Sequence, residues 1–169
     1  LPVDRNSCAC VYCSHTLEHL SLQDFRKSLE NTYNILQNGG RFRCIVPDLE
    51  DAARNYIASL DRGDKSASLD FIGEATLLGE EKRPRGLKGL FTSFMGNSKH
   101  LWMWDHLSLE EELRKVGFKE IRKCNFNDSE DEMFKFVEDE GRFKNAVAIE
   151  CIKWEQKIPS PNSLKFASR

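Results

Sequence analysis

Two places in the sequence carry residue types that could do chemistry. Ser14-His15-Thr16-Leu17-Glu18-His19 follows directly on the apolar run Cys8–Cys13, and Asp48 follows the apolar run Phe42–Val46 after one proline. Histidine can serve as a base at neutral pH, and a carboxylate can accept a proton or orient a substrate. These groups predict a reactive site if the fold brings the ends of the two apolar runs together.

The stretch from His15 to His19 fits H-x-x-E-H, the inverted zinc-peptidase motif. That motif needs both histidines on one helix face and a carboxylate ligand further along the chain. Here His15 follows directly on a predicted strand, and the helix cap comes only at Ser21. Zinc hydrolysis is therefore the least favoured function that we consider, and we predict no metal ligands.

The spacing Cys8-x-Cys10-x-x-Cys13 could suggest a metal knuckle. On a strand, however, Cys8 and Cys10 would face one side of the sheet and Cys13 the other. Free cysteine packs as a small hydrophobe, so a core role is the better interpretation. Six cysteines in 169 residues are too few for a disulfide scaffold, and we expect a cytoplasmic protein.

The segment His100-Leu-Trp-Met-Trp-Asp-His106 is the most aromatic part of the chain. The polar atoms of its tryptophan, histidine and aspartate side chains each need a hydrogen-bond partner, so complete burial of the whole segment is difficult. It suits a pocket wall or lid about as well as the core.

Strand and helix alternate around these groups. Apolar runs predict strands over 8–13 and 41–46, and three- and four-residue apolar spacing predicts a helix over 22–37. Gly39-Gly40 is interpreted as the stop of that helix. In open α/β sheets, chemistry lies at the carboxyl ends of parallel strands, which is where both candidate groups are placed.

The rest of the chain continues this α/β pattern. A further capping box is read at Ser108-x-x-Glu111, opening the last helix. The remaining predicted elements are helices over 49–60, 66–78, 87–97 and 109–116 and strands over 118–124 and 145–154. We expect one domain over 1–154, a helical cap or acceptor region over 49–105, and a flexible tail over 155–169.

The bulk composition excludes some partners. A formal net charge of −2 gives no support for a nucleic-acid partner or an anionic membrane surface. No apolar run approaches the roughly 20 residues of a membrane span.

The chain resembles the second half of class I S-adenosylmethionine-dependent methyltransferases, closest in character to small bacterial ones associated with surface-polysaccharide pathways. The resemblance depends on a combination of short matches. They are Leu1-Pro2, Asn6-Ser7, Val11-Tyr12, Ser14-His15, Leu17-Glu18-His19, Ile35-Leu36, Gly39-Gly40 and Pro47-Asp48-Leu49, with Trp104-Asp105-His106, Ser108-Leu109, Leu113 and Gly117-Phe118 later on.

The resemblance implies a Rossmann-like sheet that is incomplete, containing only strands equivalent to 4, 5, 7 and 6. In this family a glycine-rich loop and an acidic residue after the second strand hold the cofactor, and neither segment is recognised here. The sequence contains no G-x-G pattern, and Ala9 replaces the usual aspartate of the fourth strand. Strand 8–13 would then be an unprotected apolar edge, which we expect to pair with a second copy of the chain or with an amino-terminal half.

By the same resemblance, S-adenosylmethionine is the implied cofactor. Its methionine end would be lined by Ser14, His15, Thr16 and His19. General-base or acceptor-orienting candidates are His15, Asp48 and His106. Acceptor-wall candidates are Tyr56, Trp102 and Trp104.

Three functions follow for testing. The first is methyl transfer to a small-molecule or saccharide-pathway acceptor, by a truncated domain that is not expected to be fully active alone. The second is a non-catalytic module that pairs through strand 8–13 as a homo-oligomer. The third is the zinc hydrolase.

Overall fold

The computed structural model describes residues 3–79 and 99–155. The predicted helix over 87–97 and most of the predicted tail lie outside these ranges. None of the helices described is long and apolar enough to cross a membrane.

The centre of the fold is a four-stranded sheet. Its strands are β1 (Cys8–Ser14), β2 (Leu36–Pro47), β3 (Phe118–Lys123) and β4 (Ala146–Lys153). The spatial order is β1-β2-β4-β3, with β1 parallel to β2 and β4 antiparallel to both β2 and β3. The predicted order 4-5-7-6 of an incomplete Rossmann-like sheet is confirmed, and β1 lies at the edge of the described sheet.

Three α-helices are well formed. They are α1 (Leu22–Ile35), α2 (Leu49–Asp61) and, after a short α3 (Ala67–Leu69), α4 (His106–Val116). The Ser21 hydroxyl caps α1 by accepting the Asp24 amide hydrogen, as its position in the sequence indicates. Short 3₁₀ turns occur at Leu17–His19, Glu132–Phe136 and Glu140–Phe143.

The prediction for the start of α4 was wrong by three residues. Asp105, not Ser108, is the N-cap, and the two residues form a reciprocal capping box in which Asp105 Oδ1 accepts the Ser108 amide at 2.8 Å. The helix therefore begins at His106. Gly117 ends it with a φ of +114°, as predicted.

Gly39-Gly40 does not stop a helix, which corrects the sequence interpretation. The helix α1 ends at Ile35, and both glycines lie within β2, opposite an irregularity between Cys8 and Cys10. Gly39 has a φ of +83°, and a Cβ on Gly40 would lie 2.8 Å from the Gln37 carbonyl oxygen. The glycines are thus required by a left-handed turn and by close backbone approach.

The described part of the predicted cap region contains two packed helical segments. The pattern over 66–78 predicts a helix, and the structure has α3 followed by a π-helical turn, Asp70–Ala75. The Tyr56 ring of α2 lies 5.2 Å from the Phe71 ring across this contact.

The main core lies between the sheet and helices α1 and α4. Cys8 and Cys13 both pack against it, so the expectation that Cys8 shares a face with Cys10 was wrong. The register irregularity after Cys8 accompanies this change of face, because β1 advances from Cys8 to Cys10 while β2 advances from Leu36 to Arg41, and such an irregularity interrupts the regular alternation of side chains. Cys10 lies on the opposite face and donates its thiol hydrogen to Asp131. Burial and that hydrogen bond raise the pKa of Cys10 to about 12.

The opposite face of the sheet carries a buried ion network. Arg43 of β2 is fully buried and pairs with Glu138, with Asp128 at 3.0 Å and with Glu150 at 3.1 Å. Arg122 reaches the same Glu150 at 2.9 Å. Arginine supplies five fixed donors, so it can satisfy several buried carboxylates at once.

Candidate functional site

The carboxyl ends of β1 and β2 meet at one edge of the sheet, as predicted. The His15 amide donates to the Ile45 carbonyl, which joins the loop after β1 to the end of β2. His15 has a φ of +48°, a left-handed conformation that few residues with a side chain adopt. This turn redirects the chain from the strand into the 3₁₀ turn Leu17–His19.

The segment that begins at Lys99 closes over this loop. The amides of Leu101 and Trp102 donate to the Glu18 carbonyl at 2.8 and 3.1 Å. Further along, the Trp104 carbonyl accepts the Leu49 amide at 2.9 Å beyond the end of β2. The segment therefore connects the ends of the two strands, and a role as a pocket wall stays a prediction.

Glu18 is the most unusual residue of this region. Only 1% of it is exposed, and neither carboxylate oxygen forms a hydrogen bond with any residue that the structure describes. Two imidazoles approach one of these oxygens, His15 Nδ1 at 3.6 Å and His19 Nε2 at 3.7 Å. Both distances exceed hydrogen-bond length.

The two imidazoles are held by backbone carbonyls. His15 Nε2 lies 2.9 Å from the Arg142 carbonyl oxygen, and His19 Nδ1 lies 2.9 Å from the Lys99 carbonyl oxygen. Since a carbonyl oxygen can only accept, each of these ring nitrogens carries a hydrogen. The orientation of both rings toward Glu18 is therefore fixed.

His100 completes the group from the other segment. It is buried, and its ring lies 5.2 Å from the His19 ring in an edge-on arrangement. Burial lowers the pKa of His100, against the opposing effects of Glu18 and of a hydrogen bond to the Thr76 backbone. Its Nδ1 forms no hydrogen bond with the described residues.

Asp48 and His106 have local partners. Asp48 caps α2, its Oδ1 accepting the amides of Glu50 at 2.8 Å and Asp51 at 3.3 Å. His106 is the first residue of α4, and its Nε2 lies 3.3 Å from Glu110 Oε2. The structure thus gives Asp48 a capping role.

The three acceptor-wall candidates are not equivalent. Trp104 is buried in the main core, where it stacks on Phe25 at 4.2 Å. Trp102 is 42% exposed and lies 6.1 Å from Trp104. Tyr56 packs on Phe71 and lines a separate pocket of about 150 Å³. Of the three, Trp102 alone combines exposure with a position in the segment over the site.

Sequence reasoning missed the central pair of this site. Glu18 belonged to a motif that we discounted, and His100 was treated only as part of an aromatic segment. The glutamate between His15 and His19 could have indicated this site from the sequence. Its partner 82 positions later could not be chosen from the four histidines of the chain by spacing alone.

The described residues fit only part of the implied cofactor site. The loop Ser14–Thr16 lies at the carboxyl end of β1, where the methionine end is expected. However, the Thr16 hydroxyl donates to the Ser14 carbonyl and both His15 and His19 are engaged as described. The sequence offers no G-x-G loop to hold the rest of such a ligand. These residues therefore do not form a complete S-adenosylmethionine site.

Comparison with known families gives one match. Residues 1–44 match the sequence model of the family described as "Methyltransferase domain". This range includes β1, the loop with Glu18, α1 and most of β2. The methyltransferase resemblance is therefore confirmed over residues 1–44. No curated protein matches the sequence.

Solved structures give distant matches. A chain of the Haloferax volcanii complex between the Trm112 methyltransferase activator and a protein described as a methyltransferase is 15% identical, with a TM-score of 0.47 over 92% of this chain and 58% of that one. A SAM-dependent methyltransferase from Archaeoglobus fulgidus is 16% identical, with a TM-score of 0.46 over 89% and 62%. A SAM-dependent methyltransferase from Thermotoga maritima, described as a possible histamine N-methyltransferase, is 17% identical, with a TM-score of 0.47 over 90% and 59%. The chain thus spans less than two thirds of each.

Proposed function

We propose, from the methyltransferase-domain sequence of residues 1–44, that this chain is the carboxy-terminal part of a domain that transfers methyl groups from S-adenosylmethionine. The observation that carries the proposal is the family match across β1, α1 and β2. The sheet order β1-β2-β4-β3, with an antiparallel β4, supports it. A glycine-rich segment from an amino-terminal half, or from another chain, would complete the cofactor site.

The reaction is an in-line displacement. When bound, S-adenosylmethionine would supply an activated methyl group that an acceptor heteroatom could displace from its sulfonium sulfur, while the residues at the strand ends would hold the cofactor and orient the acceptor. A protonated acceptor also loses its proton to a base. Positioning supplies most of the rate, and a base is needed only for acceptors that must lose a proton.

This chain would contribute to positioning at the strand ends. Ser14, His15, Thr16 and His19 would lie against the methionine end of the cofactor, as the resemblance implies. His15 is our first choice for orienting the acceptor, because its backbone turn places the ring at the end of β1. Asp48 retains one carboxylate oxygen that does not cap α2, and His106 is the third candidate.

The acceptor would enter beside the segment 99–105. We infer that exposed Trp102 forms part of its wall, with Tyr56 on the neighbouring cap and Trp104 supporting Trp102 from the core. An indole face suits the apolar face of a sugar ring or a flat small molecule. A saccharide-pathway acceptor is therefore the class that we would test first.

The edge position of β1 favours a second function. An edge strand presents unpaired backbone groups that can add another strand. A chain that lacks the cofactor loop could use this edge to bind a second copy, without catalysis. Light scattering together with calorimetry separates the two, since this function requires a dimer that binds no cofactor.

Calorimetry with S-adenosylmethionine and S-adenosylhomocysteine tests the first function. We expect weak, saturable binding that His15→Ala weakens at least tenfold and that Arg54→Ala, on the exposed face of α2, leaves unchanged. Absence of binding by the 169-residue chain would contradict methyl transfer by this chain as it stands.

A further inference from the structure

We propose that Glu18, His19 and His100 form a binding site for one divalent first-row transition-metal cation. One ligand atom from each residue lies within 4.8 Å of the others. Glu18 and His100 are buried, and His19 is partly buried. The proposal goes beyond methyl transfer and does not depend on it, because it concerns metal binding without cofactor.

The first argument concerns His19. Its Nδ1 donates to the Lys99 carbonyl, so in a neutral ring Nε2 carries a lone pair. That lone pair faces the Glu18 carboxylate at 3.7 Å. Metal-binding histidines characteristically donate their other ring hydrogen to a carbonyl or carboxylate in this way.

His100 contributes a second free nitrogen. Its ring is hydrogen-bonded to the Thr76 backbone, while Nδ1 has no hydrogen-bond partner in the described part of the chain. A buried polar atom without a partner is rare in folded proteins and calls for an explanation. A cation at this point would supply it.

Glu18 is the strongest part of the argument. Its carboxylate is 1% exposed, and the imidazole nitrogens that face it, on His15 and His19, both carry lone pairs when the rings are neutral. Burying a charged carboxylate without hydrogen bonds is costly. A bound cation removes this cost and explains why acceptors converge from two separate chain segments.

The spacing suits such an ion. With metal–ligand distances of about 2.0–2.1 Å, two ligand atoms of a tetrahedral site lie roughly 3.3 Å apart. The 3.7 Å between His19 Nε2 and Glu18 Oε1 needs a closure of only a few tenths of an ångström. Two imidazoles and a carboxylate favour zinc, iron or manganese over magnesium, and three protein ligands leave a position for water.

This site is different from the inverted zinc-peptidase motif. His15 is not in the trio of ligands, and only His19 of the two motif histidines lies in the 3₁₀ turn. The third ligand is His100 from the segment over the site. The sequence-based expectation of no metal ligands is therefore replaced by this proposal.

Titration of the metal-free protein with Co²⁺ alone is the test. We expect one equivalent to bind, with visible absorption bands typical of nitrogen and oxygen ligands and without a thiolate charge-transfer band. Glu18→Gln, which removes the anionic ligand, should weaken binding at least a thousandfold, and His100→Ala should weaken it at least tenfold. The matched control His106→Ala removes another histidine and should leave binding unchanged.

Three results would overturn the proposal. They are no saturable binding, binding that survives both ligand variants, and a thiolate band that Cys10→Ser removes. If circular dichroism shows that either variant does not fold, the proposal is tested instead by the melting temperature of the Cys10→Ser protein with and without the metal. A metal-dependent rise in its melting temperature that chelation reverses supports the site, and no rise overturns it.

Discussion

Two buried glutamates with the same exposure have opposite surroundings. Glu150 of β4 and Glu18 after β1 are each 1% exposed. Glu150 receives hydrogen bonds from three arginines, at 3.2 Å from Arg41, 3.1 Å from Arg43 and 2.9 Å from Arg122. Glu18 receives none from the described residues and faces imidazoles instead.

The difference separates a structural network from a site. Around Glu150, positive and negative groups satisfy one another, and no buried side-chain atom of Glu150 is left without a hydrogen bond in the described part of the chain. Around Glu18, acceptors outnumber donors among the residues that the structure describes, so these residues leave the group incomplete. Buried polar groups without partners are rare enough that such an imbalance marks a functional candidate.

The largest predicted effect comes from removing Arg43 from the buried ion network around Glu150. Arg43→Met should destabilise the protein by about 3–5 kcal/mol, because it leaves Glu138 and Glu150 buried without their central cation. Urea unfolding monitored by circular dichroism measures the loss.

The matched control for that change is Arg54→Met. Arg54 is an exposed arginine whose ion pair among the described residues is with Glu50 on its own helix, so its loss should have little effect. If the two substitutions lowered the free energy of unfolding equally, the buried network would contribute no more to stability than the exposed ion pair does.

The second prediction has the opposite sign. In EDTA at pH 8, Glu18→Gln should stabilise the protein by roughly 2 kcal/mol, because it removes a buried charge that receives no hydrogen bond from residues 3–79 or 99–155. The amide group can also donate to an imidazole lone pair. The same urea experiment checks the sign, and a clear destabilisation would show that Glu18 is already satisfied in the metal-free protein.

The third prediction concerns the strand end at Asp48. Asp48→Ala should destabilise the protein by about 1 kcal/mol, since it removes the cap of α2. Asp48→Ser should retain most of that stability, because a serine hydroxyl also caps a helix. If the two variants were equally unstable, the carboxylate itself would have a role beyond capping.

The smallest predicted effect is a change in pH dependence at Glu112. Two hydrogen bonds from Arg26 lower the pKa of Glu112 to about 2. A lowered folded pKa contributes stability above the unfolded value near 4.5, which is lost as the pH falls toward 2. Glu112→Gln should therefore flatten the fall in melting temperature between pH 4.5 and 2. An unchanged pH profile would mean that the ion pair contributes no stability.

Much of the fold was predictable because its signals are local. Apolar runs predicted β1 and β4, the Ser21 cap predicted the start of α1, and Gly117 predicted the end of α4. The sheet order came from the family resemblance. Gly39-Gly40 misled because close approach to a neighbouring strand cannot be distinguished in sequence from a helix stop.

The site was less predictable because it depends on contacts between distant segments. The sequence placed His15 and Asp48 at one edge of the sheet, as a parallel βαβ unit requires. It could not show that Glu18 would be buried without a donor, or that His100 would lie beside His19. The ion pairs of Arg43 were equally unpredictable from the sequence, because the carboxylates that it contacts lie 85 to 107 positions later in the chain.

The most direct test compares the stability of the wild type and Glu18→Gln with and without zinc. Zinc at about 1,000 times its dissociation constant should stabilise the wild type by about 4 kcal/mol and leave the variant unchanged. The variant should therefore be the more stable protein in EDTA and the less stable one in zinc. The same order of stability in both buffers would contradict the account.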